Sequence, residues 1–242
     1  MRSLLGVASV LLLAGTVQGQ ALEQRVARAP DGEIRLSYAA RPGVYGDGRN
    51  ITTRVRGHDA WGWPCDSGPV RVALTKQGGA VTRVRAYVGG AWRPGAAVTD
   101  LATVAAAEAA RYLLSLPHEQ AIFAATLADS VTVWPDLLRL AREEQRPRRV
   151  RRAAVFWLGQ AAEDAATRGL DELVGAEAVD GEVREAAVFA LSQRPRDEGV
   201  PALIRIVRTH RDPEIRRKAL FWLGQSEDPR ALALLEELLT RR

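Results

Sequence analysis

One eleven-residue phrase occurs three times in the second half of this chain. It reads VRRAAVFWLGQ from Val150, VREAAVFALSQ from Val183 and IRRKALFWLGQ from Ile215, so the copies start 33 and then 32 residues apart. The first and third copies share 8 of 11 residues. A fixed period of this size marks stacked supersecondary units, none of which buries its apolar face alone. Such a chain works by presenting a long surface and not by enclosing a catalytic pocket.

Each phrase predicts an amphipathic helix. Counting its first apolar residue as zero, offsets 0, 4 and 8 are Val150, Ala154 and Leu158, then Val183, Ala187 and Leu191, then Ile215, Ala219 and Leu223. That spacing draws a stripe down one helix face. Phe156, Phe189 and Phe221 at offset 6 lie off the stripe, which suggests a helix sandwiched between neighbours. Trp157 and Trp222 at offset 7 lie beside the stripe and are expected to pack. Asp180 and Asp212 stand where N-caps belong, Pro213 suits a first helical position, and Glu182 and Glu214 suit the positive helix end. The copy at Val150 has Arg146, Pro147, Arg148 and Arg149 there, with no Asp cap.

A second helix follows each phrase. Leu170, Leu173 and Val174 recur as Leu203, Ile206 and Val207, and as Leu235, Leu238 and Leu239. This i, i+3, i+4 set should pack on the first helix. Glu172, Arg205 and Glu237 lie opposite it, with Arg208 nearby, and are candidates for docking a partner. Arg151, Arg184 and Arg216 recur in register after the first apolar residue. They are candidates either for a ladder with Asp180 and Asp212 or for partner binding.

The phrase DPEIRRKALFWLG, Asp212 to Gly224, resembles the short HEAT-type repeats related to bilin-lyase repeats. The resemblance covers about residues 101–242 and implies an α-α superhelical solenoid that mediates protein contacts. Some relatives handle bilin chromophores, but no residue here carries that role over. A chromophore lyase would need an apolar groove with a polar anchor, which the sequence does not show.

The front of the chain follows another period. Ile34, Leu36 and Tyr38 alternate, as do Val70, Val72 and Leu74, and then Val84, Ala86 and Val88. Lys76, Gln77, Gly78 and Gly79 between the last two runs supply turn residues and predict a hairpin. The segments RPGVYGDGRN and GHDAWGWPCDSGP read as long Gly-rich loops. RPGVYGDG and CDSGPV resemble the front part of exported bacterial repeat proteins. From Thr99 the period turns helical, with Thr99 or Asp100 as a cap for a helix through Leu101, Val104, Ala109 and Leu113. Further helices are expected around 120–128 and 135–144, and Ala109–Leu114 echoes Ala153–Leu158 as a degenerate first repeat.

The expected fold is therefore α+β: a small β-rich domain over 20–98, then an all-α HEAT-like solenoid over 99–242. Its units are expected at 99–145 (degenerate), 146–178, 179–210 and 211–242. Residues 1–19 read as a signal peptide, from Arg2, the apolar run Leu4–Ala14, and the small residues Val17 and Gly19 before a cut at Gln20. That run is too short to span a membrane, and no other stretch approaches the length. A periplasmic or secreted protein follows from this reading.

Chemistry has little to work with. Cys65 is the single cysteine, so no internal disulfide forms, and the reading favours a buried thiol over an intermolecular bridge or reactive group. His58, Asp59, Cys65 and Asp66 share one loop region, but their spacing matches no zinc pattern. A ligand or catalytic site around His58 and Cys65 is the alternative to a scaffold. His118 and His210 stand alone, and neither GxSxG nor HExxH occurs. The net charge of +5 is spread among interleaved acids, with no dense basic stripe for nucleic acid. These readings converge on a non-enzymatic interaction protein of the cell envelope, without cofactor or metal, whose partner is another protein.

Overall fold

The fold is a computed structural model that describes residues 21–53, 65–92, 95 and 97–240. The expected leader, His58 and Asp59 lie outside the described residues. A short helix α1 (Leu22–Arg28) leads into β1 (Gly32–Tyr38), whose residues Ile34, Leu36 and Tyr38 face inward and are buried. The predicted hairpin is present as β4 (Val70–Gln77) and β5 (Ala80–Tyr87). Gly78 and Gly79 turn it with φ of 59° and 78°, the left-handed region that a two-residue hairpin loop requires. Two short strands, β2 (Tyr45–Gly46) and β3 (Ile51–Thr52), pair separately.

The sheet order is β5-β4-β1-β6, and its last strand corrects an expectation. Residues 98–103 are not the start of a helix. They form β6 (Val98–Thr103), parallel to β1. The β-branched residues Val98, Thr99 and Thr103 suit a half-exposed edge. Asp100 does accept a local hydrogen bond, but from the Ala102 N–H at 2.8 Å, inside the strand and not at a helix start. The helix α2 begins later, at Ala106 (Ala106–Ser115).

Three helices fill the region before the first full phrase, as the helical period there predicts: α2, α3 (Glu119–Thr126) and α4 (Trp134–Arg142). The helices α5 (Arg148–Gly159), α7 (Gly181–Ser192) and α9 (Pro213–Gly224) carry the three phrases. Between and after them come α6 (Asp164–Gly175), α8 (Arg196–Thr209) and α10 (Pro229–Thr240). Two rows result: α3, α5, α7 and α9 pack in sequence, and so do α4, α6, α8 and α10. It is therefore α3, and not the Ala109–Leu114 echo in α2, that precedes α5 in its row. Each phrase helix also packs more closely on the helix before it than on the one after.

Offsets 0, 4 and 8 of every phrase are buried to 2% exposure or less, so the core stripe holds throughout. Gly159 at offset 9 lets α5 and α7 close up: a Cβ there would stand 2.9 Å from the Ala190 Cβ. In the second row, Leu170, Leu173, Val174, Leu203 and Ile206 are buried as expected. The terminal helix departs. α10 buries Ala231 and Leu234, while Leu238 and Leu239 are exposed. The buried face of α10 thus runs through Ala231 and Leu234, and the expected set of Leu235, Leu238 and Leu239 does not pack on α9 as a whole.

The sheet and the helices form one core. The Tyr38 hydroxyl donates to the Ala124 carbonyl of α3 at 2.6 Å, and Ala40 bridges to Ala128. Lys76, 4% exposed, donates to the carbonyls of Val26, Ala27 and Ala29, closing the C-terminal end of α1. Burying that ammonium is tolerable because three acceptors satisfy it.

Candidate functional site

The row α3, α5, α7, α9 turns a groove outward. Its floor is aromatic. Phe123 stacks on Trp157 with centroids 5.0 Å apart, and Phe156 meets the same Trp157 edge-on at 5.1 Å. Two units on, Phe189 and Phe221 flank Trp222 at 4.9 and 5.0 Å. Three depressions of about 710, 440 and 380 Å³ share these walls and run into one another through Ala153, Phe156, Ala186 and Phe189. Phe156 and Phe221 remain 45% and 55% exposed.

Helix geometry explains why the phenylalanines are outside. At about 100° per residue, offset 6 lies roughly 160° from the centre of the stripe at offsets 0, 4 and 8. The sandwich expected for them is therefore replaced by a solvent-facing row. Offset 7 lies between stripe and row, so Trp157 and Trp222 pack on the core with one side and line the groove with the other. The exposed aromatics therefore form a contiguous apolar patch, which makes this face a candidate contact surface.

Charges of both signs rim the groove. Glu119, Glu182, Glu185 and Glu214 face Arg149, Arg152, Arg217 and Lys218. They pair across units: Lys218 Nζ lies 3.1 Å from Glu185, Arg149 lies 3.7 Å from Glu119, and Arg152 lies 3.8 Å from Glu182. The rim is balanced and offers no field suited to a polyanion.

The residues picked from the sequence lie elsewhere. On the second row, Glu172 pairs with Arg142 at 2.7 Å, Arg205 with Asp171 at 2.8 Å, and Arg208 with Glu237 at 2.7 Å. These are solvent-exposed pairs that tie each unit to a neighbour, each contributing little to stability. The ladder is present in part. Arg151, 7% exposed, reaches Asp180 at 3.8 Å, and Arg184 reaches Asp212 at 3.5 Å. Asp180 and Asp212 also cap their helices, accepting from the N–H groups of Glu182 and Glu214 at 3.0 and 2.9 Å. Arg216 turns instead to the carbonyls of His210 and Arg211.

The alternative site is not assembled by the described residues. Cys65 is half-buried and not the fully buried thiol expected, because its segment lies at the sheet margin, where Asp66 pairs through its backbone with Gly46. Among the described residues no cluster of three metal-ligating side chains occurs. His118 meets the Val81 carbonyl at 2.7 Å. His210 Nδ1 accepts from the Asp212 N–H and Nε2 donates to the Val174 carbonyl, so the ring serves as a structural bridge. No described helix is long and apolar enough to cross a membrane.

One further buried node joins the units. Arg194, 6% exposed, donates to the carbonyls of Ala161 and Glu163, to the Thr167 hydroxyl at 2.7 Å, and to Glu198 at 2.9 Å. The Thr167 hydroxyl donates in turn to Glu198, which holds that carboxyl below the usual range. The sequence carried no sign of this node, since Arg194 recurs in neither of the other copies.

No curated protein matches the chain. Residues 174–242, which span α7 to α10, match the family described as HEAT repeats, a class that commonly serves as protein-interaction scaffolding and is generally non-catalytic. The match supports a HEAT-type repeat protein.

Proposed function

We propose that this chain is a non-enzymatic docking protein of the cell envelope, whose helical rows form an α-α superhelical solenoid with the aromatic groove as its binding face. The observation that carries the reading is the pair of exposed phenylalanines, Phe156 and Phe221, set on a floor shared with Trp157 and Trp222. Aromatic anchors in a recessed, partly desolvated floor concentrate binding energy, while surrounding charges set register. A rim with four acids and four bases suits an amphipathic protein segment that carries both signs, and not nucleic acid. The ion-paired second row around Glu172, Arg205, Arg208 and Glu237 is the competing face. The envelope location rests on the leader-like residues 1–19.

The test is site-specific photo-crosslinking in intact cells, with the photoreactive group at position 156 or 221, compared with 172 or 205. The expected result is one discrete protein adduct from the groove positions, mapping to an amphipathic segment of the partner. A synthetic peptide of that segment should bind the purified chain and lose about tenfold or more in affinity on Phe156→Ser or Phe221→Ser. Both side chains are exposed, so these variants should keep the fold. Adducts from the second row alone, or peptide binding that both variants leave unchanged, would remove the groove from consideration. Retention of the chain in the cytoplasm with residues 1–19 intact would remove the location.

A further inference from the structure

The outer face of the sheet holds a second, unrelated recess. Strand alternation puts Ile34, Leu36 and Tyr38 in the core and turns Glu33, Arg35 and Ser37 the other way. Register then builds two rows on that outer face. Arg35, Ala73 and Arg85 stand opposite one another across β1, β4 and β5, and Ser37, Arg71 and Tyr87 form the next row. Ala73 at the centre has only a methyl group where its neighbours carry long side chains. The result is a hollow of about 240 Å³, lined by Glu33, Arg35, Arg71, Arg85, Tyr87 and Trp92 among others.

Arg71 is the informative member. It is 8% exposed, yet no described carboxylate lies within ion-pair distance of it. Its guanidinium donates to the Gly89 carbonyl and sits 5.0 Å from the Trp92 ring centre. Arg35 lies over the same ring at 4.7 Å, which brings two guanidiniums to one indole. Burial pushes the Arg71 guanidinium below its ordinary value. Glu33 balances one charge by pairing with Arg35 at 2.6 Å. Asp100, opposite Arg35 on β6, does not line the hollow, and its Oδ1 is taken by the Ala102 N–H. Among the described residues, three lining cations stand against one lining anion, an excess of two positive charges in a small, aromatic-walled recess. Arg71 carries its charge buried and Arg85 at the open rim; the buried charge is costly until a counter-ion meets it, and guanidinium forks match tetrahedral oxyanions.

We propose that this hollow binds a phosphate dianion, as free phosphate or as the head of a phosphomonoester. The two charges of the dianion equal the excess in the lining, and Trp92 and Tyr87 leave apolar wall for an ester carbon. This site is independent of the groove on the helices.

Isothermal titration of the full chain at pH 7.5 and about 0.15 M salt tests it, with inorganic phosphate and phenyl phosphate as dianions and dimethyl phosphate as the monoanionic control. Saturable binding of at least one dianion is expected, weakened about tenfold by Arg85→Ala and by Arg71→Met. Arg83→Ala, which removes the same charge from β5 outside the hollow, should leave the affinity within about twofold. Tighter phenyl phosphate identifies a monoester as the ligand, and equal affinities identify the free anion. Arg85 is exposed, so its variant keeps the fold even if Arg71→Met does not. The proposal is overturned if neither dianion saturates, if dimethyl phosphate binds equally well, or if Arg83→Ala and Arg85→Ala weaken binding alike.

Discussion

Replacing Arg194 by Met should be among the most damaging single changes in the helical rows. Met fills comparable space but donates nothing. Four acceptors lose their partner: the carbonyls of Ala161 and Glu163, the Thr167 oxygen and the Glu198 carboxylate. Hydrogen bonds to a charged group contribute about 1.5–3 kcal/mol each, and breaking a buried ion pair costs roughly 3–5 kcal/mol. Both figures must be discounted here, because the Glu198 side chain is 19% exposed and water can reach the freed carbonyls. A net loss of about 2–4 kcal/mol remains, equivalent to roughly 5–15 °C in Tm for a chain of this size. Urea unfolding followed by circular dichroism measures it, with the m-value unchanged. Arg211→Met is the control. Its side chain is 92% exposed and its pair with Glu177 is open to solvent, so it should cost under about 0.5 kcal/mol. Adding Glu198→Gln to Arg194→Met should cost less than the two single losses together, because no charged orphan is left. If Arg194→Met behaves like Arg211→Met, the node does not join the units and the reasoning fails.

Two other outcomes are expected. Gly159→Ala should lower stability by about 1 kcal/mol, since its Cβ meets Ala190 at 2.9 Å and outweighs the gain in helix propensity. Gly224→Ala, with nothing within 4 Å, should be neutral or stabilising by up to about 1 kcal/mol, and thermal melts must rank the two in that order. Asp228 accepts three hydrogen bonds from Arg230, whose guanidinium holds its carboxyl down at about 2. Because that lies below the unfolded value of about 4, the group's contribution is complete above pH 4 and disappears as pH falls toward 2. Urea midpoints taken between pH 5 and pH 2 should fall more steeply for the wild type than for Asp228→Asn, and coincident slopes would contradict the assignment.

Local period carried much of this architecture into the sequence. Val183, Ala187 and Leu191 announce a helix and its buried face without knowledge of any partner, and Gly78 with Gly79 announces the hairpin. Where the outcome depended on distant partners, the reading failed. Thr99 and Asp100 look like a helix start until β1 offers residues 98–103 an edge to pair with. The degenerate repeat was assigned to α2 because Ala109–Leu114 echoes the phrase, whereas packing gives its place to α3. The groove was legible in principle: the offset of Phe156, Phe189 and Phe221 turns them away from the stripe. A second apolar flank on a helix reads equally as a face sandwiched by neighbours, and only the packing of the rows shows that no described helix covers it. The hollow behind Trp92 had no such signal, since Arg35, Ala73 and Arg85 meet only through strand register.

The ladder of arginines gives the helical rows a direction. Each arginine holds the cap of the following unit: Arg151 reaches Asp180, and Arg184 reaches Asp212. A damaged cap is therefore felt upstream, by the unit that grips it, before it is felt downstream. Losing Asp212 frays the start of α9 and also releases Arg184 in α7, while α5 keeps its own link intact. Arg216, bonded to carbonyls just ahead of its own helix, closes the series. The units thus behave less like identical stacked plates than like hooks on a chain, each fastened to the next.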